Sequence, residues 1–165
     1  MTATLISATI EIMIDTDPAL DYLGEYSADP GPDDRTVDRK KRGDQRRNEY
    51  RYFISETADY VEENYRRMER FQRGDLVSYG IRAKARVKAQ ITETWSSTQT
   101  LRSGGLWGIE SDAGSEYFNE IASEELCELI DILEQFGVEY DTPLEAEWAA
   151  DAPVSGTVTT ERNHD

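Results

Sequence analysis

The stretch LVSYGIRAKARVKAQI, residues 76–91, decides the fold. Ile81, Ala83, Ala85, Val87, Ala89 and Ile91 fall on every second position, and Arg82, Lys84, Arg86 and Lys88 stand between them. A period of two sends alternate side chains to opposite faces of a pleated strand, so one face is apolar and the other is a four-charge basic ladder. Residues 91–97 (ITETWSS) allow a reversal, and Thr98–Arg102 predicts the returning strand of a hairpin with a loop longer than two residues. Toward the N-terminus, Thr4–Ile14 alternates in the same way, with Ile6, Ala8, Ile10, Ile12 and Ile14 on one face and Ser7, Thr9 and Glu11 on the other.

Between and after these strands the period changes to that of a helix. Tyr60, Val61, Tyr65, Met68 and Phe71 recur at helical spacing, with Glu62–Arg66, Glu63–Arg67 and Glu69–Arg73 as acid-before-base pairs four apart and Gly74 as a stop. Ser115–Phe136 predicts a second helix, with Ile121, Leu126, Leu129, Ile130, Leu133 and Phe136 on its apolar side and Gly137 behind it. Residues 15–34 carry Pro18, Gly24, Pro30, Gly31 and Pro32 and predict loop. Residues 35–47 hold seven bases and almost nothing apolar, which predicts a solvated helix or a mobile arm. Gly104, Gly105 and Gly108 crowd a buried-looking Trp107 and predict a bulge or a tight backbone approach.

The elements predict an α+β domain in the order β-α-β-β-α. Its small antiparallel sheet has three strands, or four if NEYRYF (residues 48–53) joins, with both helices on the apolar face and the basic ladder outward. A chain of 165 residues, 38% hydrophobic, buries one ordinary core, which places a single domain over residues 1–140. Beyond it, residues 141–165 read as an acidic, disordered tail.

Charge is sorted along the chain. Residues 1–34 hold eight acids and no bases, residues 35–102 hold seventeen bases against ten acids, and residues 103–165 hold sixteen acids against one base, for a net charge of −16. Cys127 is the single cysteine and His164 the single histidine, a poor endowment for a nucleophile–histidine pair or a zinc site. No cofactor is expected. Met1–Ile14 lacks the pattern of a secretory signal, and no apolar run reaches membrane-span length, so a cytoplasmic protein is expected.

Three surfaces are candidates for function. Glu116, Glu120, Glu124 and Glu128 step by four along the second helix and Asp131 and Glu134 extend the series. Each step rises about 6 Å, near the spacing of phosphates along one nucleic-acid strand. The ladder Arg82, Lys84, Arg86 and Lys88 has a similar spacing of about 6.6 Å, suited to phosphates, to the protein's own acids or to another subunit. Tyr50 and Tyr52 flank Arg51 and offer stacking aromatics for single-stranded nucleic acid. The cluster Arg39, Lys40, Lys41, Arg42, Arg46 and Arg47 is the third candidate, as a mobile contact or as a charged surface. For metal chemistry only Asp15 with Asp17, or Asp33 with Asp34, offer carboxylates, without an EF-hand register.

The segments LGEY (23–26), DPGPDDRTVDR (29–39), RNEYRYF (47–53) and RSGGLWGIESD (102–112) together resemble a family of small proteins encoded by phages, plasmids and integrated elements. The likeness spans roughly residues 20–137, and the last segment is its most distinctive piece. The segment around Glu56–Asn64 is shorter here than in the family, and the acidic tail is particular to this chain. The resemblance implies a mobile-element context inside a prokaryotic cell, where interference with host defence is a common task, and carries over no catalytic or binding residue.

These readings rank as follows. A non-enzymatic accessory protein offers its acidic helix, as a nucleic-acid mimic, to a host or element-encoded protein with a basic groove. The alternative is a nucleic-acid-binding protein working through the basic strand face. A carboxylate- and magnesium-dependent enzyme ranks last, no membrane is involved, and self-association is compatible with the charge pattern.

Overall fold

The computed structural model describes residues 2–44 and 49–160. In chain order its elements are β1 (Thr2–Asp15), β2 (Gly24–Ser27), β3 (Thr36–Asp38), α1 (Arg39–Arg42), β4 (Tyr52–Ser55), α2 (Val61–Arg73), β5 (Ser78–Gln90), β6 (Ser96–Arg102), β7 (Leu106–Glu110), α3 (Ser115–Gln135), β8 (Val138–Glu139), β9 (Glu145–Trp148) and β10 (Thr157–Thr159). The class is α+β, but richer in strands than the sequence reading. Where the sequence reading places one domain over residues 1–140, the structure divides into two compact units, Met1–Asp15 with Ser78–Asp165, and Thr16–Val77.

The first unit is a seven-stranded mixed sheet with α3 on one face. β10, β9, β1, β5 and β6 lie side by side, β7 also pairs with β5, and β8 also pairs with β1. The partners β8 and β9 run parallel to β1 and the other pairings are antiparallel. The alternation holds over β5: Ile81, Ala83, Ala85 and Val87 are buried, against Ile10, Leu126, Leu129, Ile130 and Leu133 among others, but Ile91 lies beyond the strand and is exposed. The 141–165 tail reading does not. Leu144, Ala146, Trp148 and Val158 alternate with polar residues and close the core, so this segment supplies β9 and β10 to the sheet; residues 161–165 lie outside the described residues.

β1 departs from its predicted alternation at a bulge and at its end, where Ile14 is 64% exposed. The pairing with β5 slips between Leu5 and Ser7, leaving Ile6 as the extra residue of a bulge and 49% exposed. Odd positions therefore face the core before the bulge and even positions after it: Ala3 opposes Ala89, Leu5 opposes Val87, Ala8 opposes Ala85, Ile10 opposes Ala83 and Ile12 opposes Ile81. The slip keeps every inward residue of β1 on an inward residue of β5.

The second unit is a three-stranded antiparallel sheet in the order β2-β4-β3, with α1 and α2. Leu23, Val37, Phe53, Tyr65 and Met68 form its core. Thus α3 packs on the large sheet, and α2, expected beside it, belongs to this unit. Only Tyr52 and Phe53 of NEYRYF are in a strand, β4, which is the centre of this second sheet and not part of the large one; Asn48 lies outside the described residues, and β2 arises inside the predicted loop. Gly74 ends α2 as expected, its amide bonding back to Phe71 at 3.0 Å.

Candidate interaction surfaces

α3 is pinned by Phe118, Ile121, Ala122, Leu126, Leu129, Ile130 and Leu133, all buried. That places Glu116, Glu120, Glu124, Glu128, Asp131 and Glu134 on its exposed side, as their spacing predicts. They are not equivalent. Glu128 accepts the Gly104 amide at 3.1 Å, and Glu134 accepts the Tyr140 hydroxyl at 3.1 Å. Among the described residues, Glu116, Glu120 and Glu124 meet no hydrogen-bond donor and no cation. The last turn holds no base to offset the helix dipole. Glu125, which the sequence reading does not single out, is turned inward and accepts the Gly105 amide at 2.9 Å. The signal for it is its position four residues after Ile121 and four before Leu129, within the apolar stripe.

The basic ladder lies on the sheet face opposite α3, divided by one residue of β1. Glu11 accepts from Arg82 Nε at 2.9 Å and from Lys84 Nζ, and lies 3.6 Å from Arg102 Nε. Burial alone would raise the Glu11 carboxyl, but the hydrogen bonds and charges of Lys84 and Arg82 outweigh it and hold it below the usual carboxylate range. Arg86 and Lys88 are exposed and have no such partner among the described residues. The pairing register explains the split, since β1 sets Glu11 beside Arg82 and Thr9 beside Lys84, but Ser7 beside Arg86 and Thr4 beside Lys88.

Trp107 belongs to the same face. It is 48% exposed, not buried, and its ring covers Gly80 of β5, where any Cβ would fall inside the ring's van der Waals envelope. The tight approach predicted from the 104–108 glycines is real, but the glycine that permits it is Gly80. A Cβ added to Gly105, at φ +83, would lie 3.2 Å from the Arg82 side chain.

The third candidate cluster separates into buried and exposed members. Arg39 is fully buried, against its reading as a solvated cation. It donates to Glu69 Oε1 from Nε at 3.2 Å and from Nη2 at 3.0 Å, and to the Tyr50 carbonyl at 2.8 Å, with its guanidinium 4.7 Å over the Tyr26 ring. Tyr26 donates to the same Glu69 oxygen at 2.8 Å; burial first, then that carboxylate, pushes the Tyr26 hydroxyl far up. Tyr65 donates to Asp44 at 2.8 Å, and burial followed by this bond pushes it up to about 12. Glu69 is thus spent on Arg39, not on the predicted Arg73. Arg42 forms a two-pronged pair with Glu62 at 2.9 and 2.7 Å. Lys40 and Lys41 are exposed, and Arg46 and Arg47 lie outside the described residues. Arg51 is held by Asp38 at 2.7 Å and lies over Tyr52, so that group is tied within the second unit and belongs to another unit than the ladder.

Among the described residues no three His, Cys, Asp or Glu side chains converge on a possible metal position, and no helix is long and apolar enough to cross a membrane. Asp15 accepts the Ser78 hydroxyl at 3.5 Å where β1 and β5 begin to pair. Compared with protein-family models, curated proteins and solved structures, the chain matches none.

Proposed function

We propose that this chain is a non-enzymatic interaction protein that presents the carboxylates of α3 to a basic, phosphate-gripping groove on a nucleic-acid-binding protein. The observation that carries the reading is the contrast in partnering: Glu11 occupies three cations of the opposite face, while Glu116, Glu120 and Glu124 meet none among the described residues. Like charges four apart on a helix cost stability, about 0.2–0.5 kcal/mol per pair. An uncompensated series on a helix otherwise fixed by its core is what a displayed acidic surface requires. The unit carrying α3 holds nineteen acids against six bases, so long-range steering favours cationic partners and disfavours free nucleic acid. The likeness to mobile-element proteins supplies the setting: the cytoplasm of a prokaryotic host and a role against a defence or nucleic-acid-handling complex.

The test is displacement. Host proteins retained on immobilised duplex DNA at low salt are challenged with the full chain and with the Glu116→Gln, Glu120→Gln, Glu124→Gln triple variant. Release of particular proteins by the chain, at least tenfold weaker with the variant and suppressed by salt, is expected for phosphate mimicry. No release, or equal release by both, would overturn the reading.

A further inference from the structure

The open face of the large sheet carries two opposed rows of charge, matched rung by rung across β1. On one side, Lys88 and Arg86 of β5 stand beside Thr4 and Ser7 of β1. On the other side, Glu139 of β8 stands beside the same Thr4. Glu147 of β9 stands beside Thr9, and Glu145, two residues earlier in this parallel pairing, falls level with Ser7. Each of these rungs therefore reads acid, hydroxyl, base across three neighbouring strands: Glu139, Thr4, Lys88; then Glu145, Ser7, Arg86. Glu139, Glu145, Arg86 and Lys88 are all exposed, and among the described residues none of their side chains has an ion-pair or hydrogen-bond partner.

A two-fold axis parallel to β1 exchanges the strands on its left and right and leaves height along the strand unchanged. We infer that a second copy of this chain docks face to face on the open sheet about such an axis, placing Lys88 on the partner's Glu139 and Arg86 on the partner's Glu145. Every contact then occurs twice, the arrangement of an isologous dimer. Stacked sheets lie about 10 Å apart, a gap that long basic side chains span from one face to carboxylates on the other. The third rung, Glu147, Thr9 and Lys84, adds less because Lys84 is already held by Glu11.

The acidic row also has a receptacle. β8 pairs with β1 at Ala3 and Thr4, β9 pairs with it at Thr9 and Ile10, and between them opens a cavity of about 510 Å³. Glu139, Asp141 and Glu145 line it together with Tyr140 and the bulged Ile6. The arrangement offers carboxylates for a guanidinium or ammonium head and an isoleucine for its aliphatic stem. The dimer leaves α3 exposed on the far side of each sheet, so it doubles the acidic display instead of consuming it. Exposed ion pairs are individually weak, which makes the association modest and salt-sensitive.

Sedimentation equilibrium of the full chain at about 50 mM and about 1 M salt, where the screening length falls from above 10 Å to about 3 Å, tests this. Twice the chain mass at low salt and the single mass at high salt is expected. Arg86→Glu with Lys88→Glu, and separately Glu139→Lys with Glu145→Lys, each yield monomer, and a mixture of the two variants restores a one-to-one dimer. These residues are exposed, and unchanged circular dichroism of each variant excludes misfolding as the cause. A wild-type monomer at low salt overturns the inference. So does a dimer insensitive to both pairs of substitutions, or a ladder whose loss abolishes binding of a single-stranded oligonucleotide while the chain stays monomeric.

Discussion

The two units solve the same problem, burying a core beneath a heavily charged chain, in opposite ways. The large unit keeps charge out of its core: α3 and the sheet meet through apolar side chains, and its acids stand in solvent, bind backbone amides at the margin or, like Glu11, pair with cations on the opposite sheet face. The small unit takes charge in. Its core of five buried residues is bordered by Arg39 and Glu69, which are 0% and 4% exposed. A pair of that kind gives specificity of arrangement and little net stability, because both ions lose their water. The acidic surface thus rests on a unit whose core is apolar and whose ion pairs lie on the sheet face away from α3, and the basic cluster of the other unit is partly withdrawn from solvent.

The sharpest way to break the comparison is to remove one buried ion. Arg39→Ala strands Glu69 and is expected to destabilise the small unit by about 3–5 kcal/mol, whereas Arg39→Met combined with Glu69→Leu costs less than either single change. Hydrogen exchange then shows lost protection across residues 16–77 and retained protection in β1, β5 and α3. Leu129→Ala is the reciprocal test, expected to cost about 2–5 kcal/mol through the cavity it leaves and to release the large unit first. If either substitution loosens both units equally, the two cores are one cooperative system.

Alkali separates the units by a smaller effect. Tyr26 and Tyr65 ionise above their ordinary value in the folded chain, Tyr65 at about 12. A raised folded value means that this stability is whole below about pH 10, the unfolded tyrosine value, and drains away as pH rises toward 12. Tyrosinate absorbance followed alongside helix content should show these two hydroxyls ionising well above pH 10 while the small unit stays folded; their titration near 10 in a folded chain would contradict the buried network. The smallest effect is expected at α3. Glu116→Gln, Glu120→Gln and Glu124→Gln together relieve like-charge repulsion and raise the large unit's melting temperature slightly at low salt, with the gain vanishing as salt is added. A loss of stability instead would mean that these carboxylates have structural partners.

Much of the large unit was legible because a period of two and a period of 3.6 were both written clearly, in residues 76–91 and 115–136. The small unit was not, because its decisive pair joins residues thirty positions apart. Seven bases in thirteen residues look solvated until a carboxylate from another element takes one inside. The acid half of that pair was more visible: Glu69 stands four residues after Tyr65 on the apolar stripe of α2, as Glu125 stands after Ile121 on α3, and both are buried. The strands after Tyr140 were hidden by composition, since acids at every second position mask the short apolar alternation of Leu144, Ala146 and Trp148. At the candidate site, spacing revealed the exposed α3 face and the ladder, but only strand register shows that Glu11 is matched to one end of the ladder and not the other.

Asp15 and Ser78 are ladder partners, so the chain leaves the large sheet and re-enters it at adjacent points. The whole of residues 16–77 is therefore a cassette spliced into what is otherwise the turn of a long hairpin, and its ends impose almost no span on what lies between them. Such an insertion site tolerates exchange of its contents, because any folded module with neighbouring termini closes the same loop. The sheet and its charged faces can then be inherited, traded or lost as one heritable part, and the inserted unit as another.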